Sequence, residues 1–294
     1  MRISLLYRGF TVVATVLIGG FCAATFVRLA PGFGVDEREI DPRLSDESVR
    51  RIRDEAQSRR QGPIDSYIAY LAKASRGDLG FSRGFHRPVA GLIAERFPQT
   101  ARSAGAGLVA GWACGLILAL GAASLGHPAL DLSAGAGVAL LLCLPSSVVA
   151  LFSVVMFHSG GTGAVASVIA LVIFPRVFCY ARGILGRIAA LPHVMQARAK
   201  GVGRVREIST HILRPALPSA LALLGISVSI AFGAAIPVEV ICDSPGLGQL
   251  AWQAALKRDL PLLINITLLV TVLTGVSSLA ADLDHRSSGA RDPS

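Results

Sequence analysis

The chain has 294 residues, of which 52% are hydrophobic and only 16% charged, with a mean hydropathy of +0.59 and a net charge of +9. A soluble domain carries about 25% charged residues, so this composition excludes an ordinary globular enzyme and points to a polytopic membrane protein. The positive charge is not a nucleic-acid signature, because Lys/Arg-rich loops follow from membrane topology and no zinc, helix-turn-helix or RNP pattern accompanies it.

Phe10 to Val27 is an apolar run after Arg2 and Arg8. It reads as an uncleaved first span continuing through Leu29 and Ala30, with Arg28 snorkelling to the interface. A cleaved signal peptide is the alternative, given Ala23 and Ala24 near its end. Val35 to Arg102 is a polar segment in which 13 Lys/Arg face 11 Asp/Glu between Asp36 and Arg102. Long loops cross a membrane largely regardless of charge, so it is expected outside. Within it, Ser45 to Arg60 reads as a helix ended by Gln61-Gly62-Pro63, and Asp65 to Ala74 as a second short helix carrying Tyr67, Ile68, Tyr70 and Leu71.

Five further spans are expected at Ser103–Leu125, Leu130–Phe157, Ala164–Tyr180, Pro215–Val238 and Leu262–Leu283. Each is long enough for a hydrocarbon core about 30 Å thick. The first contains two overlapping GxxxG patterns, Gly107 to Gly111 and Gly111 to Gly115, a spacing that lets helices approach closely in lipid. Among 31 glycines, chance also produces such patterns. Pro145 falls near the middle of the second and predicts a kink. His158 to Gly163 is a short turn.

Leu191 to Pro218 is polar and strongly basic, with Arg198, Lys200, Arg204, Arg206 and Arg214 inside it and Arg182 and Arg187 just before. Such a loop stays on the cytoplasmic side. Read as helix, it gathers Leu191, Val194, Val202, Val205, Ile208 and Ile212 on one face, with Lys200, Arg204 and Glu207 opposite. Gly201 and Gly203 each cost about 1 kcal/mol in a helix interior, so two short helices joined at Gly201 are predicted. Two readings of this knuckle stand on physics alone. Its apolar face sits in a groove of another protein, or the segment is a basic helix lying on anionic lipid.

Catalytic signatures are absent. There is no phosphate-binding GxxxxGK[ST], no HExxH and no GxSxG, so the chain is not expected to be an enzyme. Its six histidines lack metal-ligand spacing, and its five cysteines form no CxxC pair, so no cofactor, metal site or disulfide framework is expected. Arg176, one residue after Pro175, admits two readings: an arginine snorkelling to the inner interface, or a pathway residue.

Three blocks of sequence carry a family resemblance. Ala197-Arg198-Ala199-Lys200-Gly201, followed by His211-Ile212-Leu213-Arg214-Pro215-Ala216-Leu217-Pro218, resembles the EAA loop of bacterial ABC importer permeases of the dipeptide, oligopeptide and nickel group. Glu239, Ser244-Pro245-Gly246-Leu247-Gly248-Gln249-Leu250, Ala254 and Arg258-Asp259-Leu260-Pro261 resemble that group's second block. Arg76-Gly77-Asp78-Leu79-Gly80-Phe81-Ser82, Arg87-Pro88-Val89 and Glu95-Arg96-Phe97-Pro98-Gln99-Thr100 resemble its third.

The resemblance implies an all-α membrane protein of about six transmembrane helices. It also implies an external segment after the first and a cytoplasmic coupling helix between the fourth and fifth. The organisation is then an N-terminal helix over 1–30, an external segment over 31–102, a five-helix core over 103–284 with the coupling loop at 191–218, and a cytoplasmic tail over 285–294. It implies a permease subunit of an ATP-driven importer in the bacterial inner membrane, for peptides, nickel complexes or other small solutes. Its implied partners are a second homologous permease, two ABC ATPases that use the ATP, an extracytoplasmic substrate-binding protein and membrane lipid. Gln196, Ala197, Ala199, Lys200, Gly201, Val205 and His211 would couple to the ATPase. Glu239, Pro245, Gly246 and Arg176 would line the substrate path or gate, with an interfacial carboxylate in water as the other reading of Glu239.

The chain departs from the pattern in three places. The EAA positions hold Met195, Gln196 and Ala197, without the glutamate. The connection at His158 to Gly163 is short, and Asp284-His285-Arg286 replaces the usual ending. The competing class, a self-contained secondary transporter or channel, predicts acidic residues deep in the spans and inverted repeats. The sequence displays neither.

Overall fold

The computed structural model describes residues 11, 13–15, 17–22, 25, 63–74, 76–82, 84–125, 128–157, 160–203 and 206–289. The helix expected over Ser45 to Arg60 lies outside them. Of the expected first span, a short apolar helix is described over Val13–Cys22.

The chain forms two compact units. One contains Arg96–Leu250 together with the chain from Val272 onward, and the other contains Val13–Glu95 and Ala251–Thr271. In chain order the elements are α1 (Pro63–Ala74), β1 (Phe81–Ser82), β2 (Arg87–Pro88), α2 (Val89–Leu125), α3 (Pro128–Leu142), α4 (Ser146–Phe157), α5 (Thr162–Ala189), α6 (Pro192–Ala199), a π-helical turn (Glu207–Leu213), α7 (Arg214–Ile241), α8 (Leu247–Leu256) and α9 (Leu260–Gly289). The architecture is all-α apart from the two-residue antiparallel ribbon that pairs Phe81 with Pro88 and Ser82 with Arg87.

Among the described residues, four helical stretches are long and apolar enough to cross a membrane: Val89–Ala122, Thr162–Ala189, Glu207–Ile241 and Leu260–Ser278. The α3–α4 pair makes a fifth if counted as one broken span. Two expectations need correction. The span expected from Ser103 begins at Val89, so helix runs back through Glu95, Arg96 and Pro98 into the segment read as a soluble loop. Pro98 lies inside this helix, beyond its first turn, so the helix continues there without one of its backbone hydrogen bonds. At Pro145 the predicted kink is a full break: α3 and α4 are bent by 101°, and Pro145 offers its carbonyl to the amides of Val148 and Val149 as α4 restarts.

In the first unit α5 is the central helix. It packs against α3, α4, α7 and the π turn. Val165, Val168, Ile169, Ile173 and Val177 form one buried core with Ala231, Ala235 and Val238 of α7. Phe178, Ala181 and Leu185 form a second core with Ala119 and Val138. Lipid tails are as apolar as these side chains, so close packing rather than escape from water holds such helices together. The GxxxG stripe serves that packing. A Cβ at Gly107 would lie 2.7 Å from the Ala166 carbonyl oxygen, one at Gly111 2.9 Å from that of Ala170, and one at Gly115 2.8 Å from the Val177 Cβ.

In the second unit, motif residues distant in sequence meet at Asp259. Its carboxylate accepts the Ser82 hydroxyl and, at 3.0 Å, the Gly84 amide. It also faces the Leu262 amide at 3.4 Å, acting as the N-cap of α9. Lys257 reaches the Gly84 carbonyl at 3.0 Å and lies 3.9 Å over the Phe85 ring. Asn265 donates to the Leu79 carbonyl at 2.9 Å, and the Tyr67 hydroxyl to that of Leu17 at 2.9 Å.

Candidate functional site

Three parts of the first unit carry the residues singled out in the sequence. The first is the knuckle between α5 and α7. Leu191 is extended, Pro192 opens α6 and Lys200 ends it. Gly201 then takes φ +75°, a backbone conformation open to glycine without strain, and the chain turns back. The return limb is the π turn, which runs directly into α7. A π turn inside a helix is rare and marks functional sites disproportionately.

The two limbs are tied in two ways. Val194 is fully buried and Ile212 nearly so, both in the core built on Phe178, Ala181 and Leu185. Arg198 on α6 donates to the Glu207 carboxylate at 2.8 Å, with Glu207 almost completely buried and Arg198 half exposed. This corrects one expectation. Of the expected apolar face, Leu191 stays exposed, while Val194, Ile208 and Ile212 are directed onto the protein's own helices rather than outward. Ala197 is buried with them, whereas Gln196, Ala199, Lys200 and Gly201 are exposed and His211 is half-buried. Val205 lies outside the described residues. Sequence reasoning missed Met195, which projects beside these exposed residues at 60% exposure. Its place at the absent EAA glutamate was the available signal.

The second part is the corner after α7. Glu239 is completely buried. One carboxylate oxygen accepts the Gly248 amide at 2.7 Å, at the start of α8, where the unpaired amides favour an anion. The other has no hydrogen-bond partner. The Leu247 amide is taken by the Thr100 hydroxyl at 2.8 Å, and the Ser244 amide by the Glu239 carbonyl at 2.9 Å. A Cβ at Gly246 would overlap the Glu239 carboxyl, and one at Gly248 would overlap the Ile236 backbone. Pro245 stands exposed in the turn between. Glu239 is therefore enclosed by protein rather than set in interfacial water.

The third part is Arg176. It lines a cavity of about 380 Å³ together with the α3–α4 break, Val172 of α5 and Gly233 and Ala234 of α7. Its Nη1 donates to the Val172 carbonyl at 2.5 Å. The structure thus separates the singled-out residues into a knuckle, a buried corner and a cavity wall.

With this geometry in place, comparison with known proteins decides the family. Residues 113–288, more than half of the chain, match the family of binding-protein-dependent transport system inner membrane components. The chain belongs to this family. It is similar to the oligopeptide transport system permease protein OppB of Escherichia coli, at 31% identity over 84% of this chain and 85% of the relative. It is also similar to a putative peptide permease protein of Brucella suis, at 26% identity over 88% of this chain and 89% of the relative. A putative peptide transport system permease protein of Brucella abortus matches at 28% over 81% and 82%. The chain is accordingly a multi-pass membrane permease subunit of the ABC transporter type.

Proposed function

We propose that this chain is one of two permease subunits of an ATP-driven peptide importer in the bacterial inner membrane, coupled through its knuckle to separate ATPases. Its similarity to peptide and oligopeptide permeases supports peptides over nickel. In this reading the second permease supplies the other half of the path, and a substrate-binding protein delivers the solute. ATP is hydrolysed in the partner ATPases.

The observation that carries the proposal is the two-sided build of the knuckle. Its inner side is anchored by Val194, Ala197 and Ile212 and clasped by Arg198–Glu207. Its outer side offers Met195, Gln196, Ala199, Lys200 and Gly201. A docking element can pass force to the spans only if it is wedged firmly beneath its contact surface. Here the return limb, clasped to α6 by Arg198–Glu207, is continuous with α7 as the 35-residue stretch Glu207–Ile241, about 52 Å at 1.5 Å per residue. Displacement at the knuckle is thereby applied to α7, whose far end holds Glu239.

The test is purification of the tagged chain from its native membrane with identification of what accompanies it. Met195→Asp and Ala199→Glu place charge on the outer surface without disturbing Val194, Ala197 or Ile212. ATPases bearing a phosphate-binding loop are expected with the unaltered chain and are lost from both variants. Retention of the ATPases in both variants, or their absence from the unaltered complex, overturns the coupling surface or the importer reading respectively.

A further inference from the structure

Arg176 is a cation within a membrane-spanning helix and, among the described residues, no carboxylate pairs with it. An arginine at such a depth is costly, and those that occur face a bundle interior or a water-filled cavity and find a counter-charge. The direction of its side chain separates the two readings left open by the sequence. A snorkelling arginine would reach toward the end of α5 that carries Arg182 and Arg187. Arg176 instead bonds the carbonyl of Val172, four residues back, away from that end. It lies against a cavity of about 380 Å³ walled by the α3–α4 break and α7, within the range of about 300–1,000 Å³ of small-molecule sites. Broken spans are where membrane transporters place solute sites, because irregular backbone is tolerated only against protein or a cavity.

We propose that this cavity is an intramembrane acceptor for a carboxylate of the transported solute, with the Arg176 guanidinium as the recognising group. The planar fork of a guanidinium matches a carboxylate bidentately, and one Nη held by the Val172 carbonyl fixes the plane for the remaining donors. A lipid phosphate fits less well, because it sits at the interface that Arg176 points away from. The proposal rests on the importer reading for the solute but not for the cavity's charge or access. It deepens that reading to solutes bearing a free carboxylate, such as a peptide C-terminus.

Cys143 lines the same cavity and provides a probe. In the full chain carrying Cys22→Ala, Cys114→Ala, Cys179→Ala and Cys242→Ala, the rate of Cys143 modification is compared for a sulfonate-bearing and a trimethylammonium-bearing methanethiosulfonate. The anionic reagent is expected to react about tenfold faster, a preference that Arg176→Gln abolishes and Arg176→Lys largely keeps. Failure of both reagents to react, or equal rates with Arg176 intact, overturns the cavity site.

A peptide with a free C-terminus should slow the labelling while its C-terminal amide does not. Equal protection by both, or by neither, overturns carboxylate recognition. In the assembled importer, Arg176→Gln should lower ATP-driven uptake of the free-acid peptide about tenfold and that of the amide by less than about twofold. Equal losses mean a structural role for Arg176. If the unaltered importer shows no ATP-driven uptake of any peptide, the importer reading falls, and the Cys143 rates still decide whether the cavity is an anion site.

Discussion

The two ends of the continuous helical stretch Glu207–Ile241 each bury one glutamate, and the protein holds the two charges differently. Glu207, at the knuckle end, has a side-chain cation, Arg198, from the facing limb. Glu239, at the corner end, pairs with no cation among the described residues and is held by the Gly248 amide. The first is a clasp between neighbours in sequence, half open to water. The second is a fully buried socket made by the Gly248 amide, the close approach of Gly246 and the Thr100 side chain. The Arg198 side of the clasp stands half in water, so solvent can partly replace the cation. The socket admits no such replacement, because losing its acceptor or adding bulk leaves an unpaired group or a steric overlap with little room to relax.

The strongest way to break this contrast is to fill the socket. Gly246→Ala should overlap the Glu239 carboxyl and Gly248→Ala the Ile236 backbone. Overpacking without room to relax costs about 1–3 kcal/mol and upward. A large drop in detergent unfolding temperature is expected for both, and an unchanged melting temperature would show that the corner is looser than described.

Next in size is Glu239→Ala, which leaves the Gly248 amide unpaired at about 1–3 kcal/mol. Glu239→Gln keeps an acceptor oxygen and should cost much less. If Glu239→Gln stops uptake while leaving thermal stability intact, the negative charge itself serves transport and the residue is more than a cap.

At the other end, Arg198→Ala leaves the almost completely buried Glu207 carboxylate without its cation, and because water can partly take the place of the half-exposed arginine a cost of about 1 kcal/mol, at the low end of that range, is expected. A double-mutant cycle with Glu207→Gln should give a coupling of that size that shrinks in high salt. A salt-independent coupling of several times that value would place the clasp among buried pairs. The smallest stability effect is expected for Met195→Asp, within about 0.5 kcal/mol for a surface position. Its consequence should appear only in ATPase retention.

Much of this was legible in the sequence. Apolar length located the long helices α2, α5, α7 and α9, and Gly201 marked the turn of the knuckle, because those signals are local. Three features were not legible. The start of α2 was hidden because Glu95, Arg96, Pro98 and Arg102 resemble a loop, although helix continues through them. The facing of the knuckle was invisible, because an amphipathic pattern states that one side is buried without stating against what. Val194 and Ile212 turn out to cover Phe178 and Leu185 rather than a partner.

The pairing of the motif blocks was hidden too. Ser82 meets Asp259 across 177 positions, and Thr100 meets Leu247 across 147. No local rule reports contacts at such separation.

By itself the sequence determined the membrane class, the family blocks and the basic knuckle, since these follow from composition, hydrophobic length and short-range turn chemistry. Only the tertiary structure decided that Pro145 breaks its span, that Arg176 looks into a cavity rather than toward the interface, and that Glu239 is enclosed by protein. Each of these depends on what lies across from the residue, and that is set when α5 packs against α3, α4 and α7.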